Sequence, residues 1–194
     1  MNSARRGLLV AGAAWLAGCS LLRRGEPTVI TGGESPTLIP EVPYFPTPEP
    51  VVDAMLKLAR VGPADLVYDL GCGDGRIVIT AAAKYGARGF GVDIDPAPLI
   101  RARHDAERAG VDERVHFERG DLFLTDLRPA TVVTLYLYES LNRRLMPKLR
   151  SELRPGARIV SHKFGMGTQW PPDSVLSVGD STIYLWTVRG PAAA

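Results

Sequence analysis

Apolar positions follow two regimes along this 194-residue chain. Residues 7–22, GLLVAGAAWLAGCSLL, form one uncharged apolar run. From Val42 onward, short apolar runs alternate with stretches in which apolar side chains recur at every third or fourth position. A short run bounded by turn residues reads as a buried strand and the wider spacing as a helix with one covered face, so their alternation predicts a parallel sheet flanked by helices. Thr47-Pro48-Glu49-Pro50 predicts a helix start, with Thr47 as cap, Pro48 at the first helical position and Glu49 at the positive end of the dipole. Val51, Met55 and Leu58 continue it at helical spacing. Then come strand Leu66–Leu70, helix Arg76–Tyr85, strand Gly89–Val92, helix Pro96–Ala109, and strands Val115–Glu118 and Ala130–Tyr138. A helix through Leu145–Leu153 accommodates Pro147 only if that residue lies in its first turn. Ala157–Phe164 is a fifth strand, and Ser174–Val178, a Gly179-Asp180 turn and Thr182–Val188 read as a hairpin. The expected fold is α/β, with a mostly parallel seven-stranded sheet ending in an antiparallel hairpin.

The N-terminal run has the three parts of a signal peptide: Arg5-Arg6, an apolar middle, and small residues leading to Cys19. Its LAGCS stretch resembles the lipobox of bacterial lipoproteins, with Cys19 acylated and the domain facing the periplasm, and the Arg5-Arg6 pair loosely resembles a twin-arginine export signal. The alternative is an uncleaved membrane anchor, although 16 residues fall short of the about 20 a spanning helix needs. Residues 23–41, RRGEPTVITGGESPTLIPE, lack periodicity and read as a flexible tether. The expected organisation is therefore a signal or anchor segment at 1–22, a tether at 23–41 and one domain at 42–190.

Charge changes this picture little. A net charge of +2 argues neither for nor against a nucleic-acid partner, and none is expected. Cys19 and Cys72 lie in unrelated contexts and His104, His116 and His162 are scattered, so neither a disulfide nor a metal site is expected.

The chemistry concentrates in the first strand-to-helix turn, Asp69-Leu70-Gly71-Cys72-Gly73-Asp74-Gly75-Arg76. In an open parallel sheet, ligands bind at the carboxyl ends of the strands beside this turn. Gly71, Gly73 and Gly75 permit a tight turn and close approach of backbone N–H groups to a ligand. The spacing is GxGxG behind an acid, not the GxGxxG that cradles a pyrophosphate. An acid there suits a cationic ligand bearing an ammonium and a sulfonium, which points to S-adenosyl-L-methionine. Asp93, in GFGVDID, ends the second strand where a carboxylate can accept both ribose hydroxyls, with Ile94 beside it. Asp121, in ERGDLF, ends the third, where it can accept from an adenine amino group while Leu122 supplies apolar contact. Cys72 reads as a small loop filler, no histidine lying near it in sequence.

These residues, DLGCGDG, GVDID and GDLF in order, resemble the Rossmann-like class I S-adenosylmethionine-dependent methyltransferases from about Val42 to the C-terminus. That family's last strand is reversed, as the terminal hairpin requires. VPYFPTPEPVVDAML before the loop, and TLYLYESLNRRLMPKLRSELRPGARIVSHKF and Trp170-Pro171-Pro172-Asp173 after it, resemble the lysine methyltransferases of adenine nucleotide translocase and of the ATP synthase c subunit. The resemblance implies a lysine of a protein as acceptor, with a membrane-embedded protein among the candidates. It also implies that the N-terminus meets a membrane surface. Lys163 departs from the pattern, standing where bacterial-looking relatives carry an acid.

Methyl transfer from a sulfonium needs alignment more than acid–base power. Tyr136 and Tyr138, at the end of the fourth strand, are candidates to line the acceptor channel, with Glu139 and Asn142 orienting or desolvating an amine. Tyr44 and Thr47 are placed to close over the methionine end. His162 is a candidate base or a satisfied core histidine. The strand-four end lacks the Asn/Asp-Pro-Pro-Tyr of many adenine and glutamine methyltransferases, which argues against a nucleobase amino group. Two further readings stay open: a non-catalytic S-adenosylmethionine-binding lipoprotein and a small-molecule methyltransferase.

Overall fold

In a computed structural model of the chain, residues 44–190 are described; the signal or anchor segment, the lipobox and the tether lie outside them. The elements in chain order are α1 (Glu49–Leu58), β1 (Leu66–Leu70), α2 (Arg76–Tyr85), β2 (Arg88–Asp93), α3 (Pro96–Arg108), β3 (Val115–Arg119), β4 (Val132–Leu135), α4 (Glu139–Glu152), β5 (Arg158–His162), β6 (Ser174–Val178) and β7 (Ser181–Thr187). They build one seven-stranded sheet in the order β3-β2-β1-β4-β5-β7-β6. β1 to β5 pair in parallel, and β7 runs antiparallel to both β5 and β6, as the hairpin pattern requires.

Helical periodicity decides which face each helix covers. Val51, Val52, Met55 and Leu56 of α1, Ile77, Val78, Ala81 and Ala82 of α2, and Leu99, Ala102 and Ala106 of α3 pack into one core. Leu141, Leu145, Met146 and Leu149 of α4 pack into the core on the opposite face, with Leu70, Leu135, Ile159 and Trp186. No helix joins β3 to β4, so α4 covers that face with the 120–131 loop. Strand alternation sends neighbours to opposite cores: Ile159 faces α4 and Val160 faces α1. At the amino end of the sheet an Arg158–Asp65 ion pair forms, Thr131 donates to the same carboxylate at 2.8 Å, and Arg158 donates to the Ala59 carbonyl at 2.8 Å. That network fastens the end of α1 to β1 and β5. Among the described residues, no helix is long and apolar enough to cross a membrane.

Three expectations need correction. Thr47 is not a cap: Pro48 occupies the N-cap without a side-chain bond, the helix begins at Glu49, and the proline in its first turn is Pro50. The Thr47 hydroxyl is instead 3.3 Å from His162 Nδ1. β4 ends at Leu135, where its register partner Leu70 is the last residue of β1, so Tyr136–Tyr138 have left the sheet. α4 begins at Glu139, making Pro147 its ninth residue rather than a first-turn residue. Pro147 lies on the exposed side of α4, as does Arg143, whose carbonyl loses its intrahelical N–H donor at that proline.

Candidate active site

A cavity of about 300 Å³ opens at the carboxyl ends of the parallel strands. Its walls are the segment before α1 (Tyr44–Thr47), the glycine loop, the ends of β2 and β3, and Tyr136, Leu137 and Leu141 after β4.

The loop owes its shape to glycines. Gly73 and Gly75 have φ of 52° and 72°, in the left-handed region that disfavours side chains. A Cβ on Gly73 would lie 2.4 Å from the Tyr44 ring, and one on Gly75 2.4 Å from the Phe117 ring. The loop is held from below by Gly71 N–H and Cys72 N–H donating to the Val92 carbonyl at 2.8 and 3.0 Å.

Five carboxylates line the cavity: Asp69, Asp74, Asp93, Asp95 and Asp121. Its one cation is Arg76, which grips Asp74 with Nη2 at 2.6 Å and Nε at 3.0 Å. Asp93 ends β2, accepting from Gly73 N–H at 2.7 Å and from Asp95 N–H at 3.0 Å. Asp121 accepts from Phe123 N–H at 2.8 Å, which fixes the turn after β3. Asp69 is 3% exposed and faces the α1 side of the sheet beside its register partner Thr134, whose hydroxyl donates to it at 2.6 Å. Burial pushes the Asp69 carboxyl up to about 7; the charges of Asp93 and Asp74 add to this and the Thr134 bond opposes it. Burial alone would raise Asp74 too, but Arg76 and the Tyr44 hydroxyl outweigh it and hold that carboxyl below its ordinary value. Burial raises the Cys72 thiol well above its usual range, with Asp69 and Asp93 reinforcing it, so Cys72 fills space as a protonated thiol.

Segment 44–47 forms a strap across this loop. The Tyr44 ring rests on Gly73, and Arg76 Nη1 donates to the Thr47 carbonyl at 3.0 Å. At the β4 end of the cavity, Tyr136 packs on His162 with ring centroids 4.0 Å apart, and Phe164 lies 6.5 Å from Tyr136 and 5.5 Å, edge-on, from Tyr138. His162 is 2% exposed, and its Nε2 is 3.0 Å from Ser181 Oγ. Burial, helped by the Lys163 charge, lowers its pKa to about 4, so the ring is neutral at pH 7.

The sequence-derived residues divide by position. Tyr44, Thr47, Asp69, Gly71, Cys72, Asp93, Ile94, Asp121, Leu122 and Tyr136 line the cavity; Gly73 and Gly75 shape the loop behind it. Tyr138 lies outside the lining and 41% exposed, and Glu139 is exposed at the start of α4. Asn142 is fully buried, its Nδ2 donating to the carbonyls of Phe164 (3.0 Å) and Gly165 (3.2 Å). Asp74, Arg76, Phe45, Thr134 and Phe164 carry no role at the site in the sequence alone. The Asp74–Arg76 pair had a visible signal, opposite charges two residues apart at a helix start. Thr134 and Phe164 had none.

The cavity fits S-adenosyl-L-methionine. Its acids answer an ammonium, ribose hydroxyls and an adenine amino group, and they oppose phosphates. Comparison with known proteins agrees. The family model described as the ANTKMT methyltransferase domain matches residues 69–174. A protein-lysine N-methyltransferase from Saccharolobus islandicus is 44% identical over 155 residues, covering 77% of this chain and 96% of the relative. The adenine nucleotide translocase lysine N-methyltransferase of Mus musculus is 38% identical over 77% of this chain, which spans 65% of the mouse enzyme's length. Among solved structures, an RNA methyltransferase from Salinibacter ruber in complex with S-adenosyl-L-homocysteine is 51% identical, with a TM-score of 0.74 over 77% of this chain and 97% of its own. The chain therefore belongs to the ANTKMT methyltransferase family, a class I S-adenosylmethionine-dependent methyltransferase whose cofactor is S-adenosyl-L-methionine.

Proposed function

We propose that this enzyme N-methylates lysine side chains of protein substrates. The observation that carries the reading is the anionic cavity ending in an aromatic wall: five carboxylates with one paired cation on the cofactor side, and Tyr136 at the acceptor end. The S. islandicus relative, named a protein-lysine N-methyltransferase and matched along nearly its whole length, supports it.

Bound in the cavity, the cofactor supplies an electrophilic methyl group on a sulfonium. Asp69 faces its ammonium, Asp93 its ribose hydroxyls, and Asp121 with Leu122 its adenine. The Tyr44–Thr47 strap and Leu137 keep water from the methionine end. Tyr136 lies against an incoming amine and, through its ring face, favours the cationic product that forms when nitrogen takes the methyl group. Tyr138 and Phe164 extend that wall towards solvent, and Glu139 lies at its exposed end. With His162 neutral and buried, the proton that an arriving lysine ammonium must first lose goes to solvent.

A second reading, methylation of RNA, has one observation in its favour: the name of the S. ruber structure. The anionic lining opposes it, since a nucleotide would bring phosphates to the mouth of an acidic cavity. The test uses the full-length protein with methyl-labelled S-adenosylmethionine and a cell extract. Label removed by protease and recovered as methyl-lysine supports the proposal; label removed by ribonuclease and not by protease overturns it. Asp93→Ala should remove cofactor binding, and unchanged affinity would refute the ribose assignment.

For its location, we propose lipidation at Cys19 facing the periplasm, with a membrane-embedded protein as acceptor. The LAGCS stretch supports the anchor, and the mouse relative's name, that of a translocase lysine N-methyltransferase, supports a protein acceptor. Cys19→Ala should release the protein from membranes; retention would favour an N-terminal anchor helix instead.

A further inference from the structure

His162 lies directly behind two residues of the cavity wall without lining the cavity itself. Its Nδ1 is 3.3 Å from the Thr47 hydroxyl on the strap, and its ring packs 4.0 Å, centroid to centroid, from Tyr136 on the acceptor side. Nε2 is 3.0 Å from Ser181 Oγ at the start of β7. Both ring nitrogens are thus engaged. Because each partner is a hydroxyl that can donate or accept, both are satisfied in either tautomer. The strap end of this chain is itself fixed, since Arg76 holds the Thr47 carbonyl while gripping Asp74 in the cofactor loop.

We infer that His162 is a positioning residue that sets Thr47 and Tyr136 as one unit, so that closure of the strap over the cofactor also fixes the acceptor-side ring. This rests on the proposed function in one respect, that Tyr136 faces the acceptor. His162 does not line the cavity, so a general-base role would have to run through the Thr47 hydroxyl, and the pH–rate profile separates that role from positioning. The imidazole holds a hydroxyl on one edge and an aromatic ring on its face. A one-ångström slip of either would misalign nitrogen, methyl carbon and sulfur, the alignment on which the transfer depends.

The test is a pair of double-mutant cycles on the full-length protein. His162→Phe keeps a ring against Tyr136 and loses both hydrogen bonds; Thr47→Val keeps the shape of Thr47 and loses its hydroxyl. Each single change should lower methyl transfer by about tenfold, and the double variant should be no worse than either, because both cut the same link. KM for the acceptor should move far less than kcat, and the pH–rate profile should keep its shape. Multiplying effects, near a hundredfold in the double variant, would overturn the inference, and so would loss of one limb of the pH profile, which marks a base. If His162→Phe does not fold, Thr47→Val combined with Tyr136→Leu asks the same question with the imidazole in place. Coupling of those two sites supports the inference and independence refutes it. Affinity for S-adenosylhomocysteine is measured in the same cycles and needs no acceptor. A wrong assignment of the acceptor therefore silences only the turnover readout, while additive effects on that affinity count against His162 itself.

Discussion

Asp69 combines two demands that conflict in the ligand-free protein. It is buried beside Asp93 and Asp74, and its carboxyl is pushed up to about 7 by burial first and by those charges second. A cationic cofactor reverses the preference, because the ionised carboxylate gains a partner. Affinity for S-adenosylmethionine should therefore weaken by up to about tenfold per pH unit below 7 and level off above it, checked by titration calorimetry across pH 5–8. Asp69→Asn should lower affinity at least tenfold while raising the melting temperature of the ligand-free protein at pH 7.5, since the unpaired buried charge at this position is gone; a drop in that temperature would refute the assignment. At this scale much was legible. Asp69, Asp93 and Asp121 could be placed because each lies at or just past the carboxyl end of a strand, and those ends converge in a parallel sheet. Thr134 and Phe164 could not, because one depends on register between strands distant in sequence and the other on ring contacts with Tyr136 and Tyr138 that no local pattern records. Asn142 shows the same limit: its helix turn was visible, but not that its amide pins the Phe164–Gly165 backbone.

Each element's type was legible from its periodicity, whereas the ends of β4 and α4 depended on neighbours. β4 stops where β1 and β5 stop offering partners, which no local pattern records. α4 tolerates Pro147 at its ninth position because that residue is exposed. Pro147→Ala restores the N–H for the Arg143 carbonyl and should stabilise the protein by about 1–3 kcal/mol, read as a rise in melting temperature with unchanged turnover. Gly75→Ala should act in the opposite sense. It combines a left-handed backbone with a Cβ 2.4 Å from the Phe117 ring, so a loss above about 1 kcal/mol together with weakened cofactor binding is expected. Wild-type affinity in that variant would mean that the loop has other shapes available.

For the molecule as a whole, two buried groups give opposite responses to acid. His162 has a folded pKa of about 4, below its unfolded value near 6.5, so its contribution is present above the unfolded value and is lost as pH falls towards 4. Asp69 has a folded pKa near 7, above its unfolded value near 3.9, so its contribution is present below that unfolded value and is lost as pH rises towards 7. The slopes oppose each other between about pH 4 and 7, and the stability of the ligand-free protein should be nearly flat there. In Asp69→Asn only the histidine slope remains, and denaturant midpoints should climb with pH across that window; a flat profile in the variant would contradict this. The sequence separation of 115 between Thr47 and His162 also has a consequence in time. The strap is made early on the ribosome, and its anchor emerges only when the fifth strand does. Ser181, which holds the far side of that histidine, follows 19 residues later still. A nascent chain thus completes both its glycine loop and the strap over it before it has made the imidazole that steadies that strap, and until then Arg76 and the Tyr44 ring alone hold the strap in place.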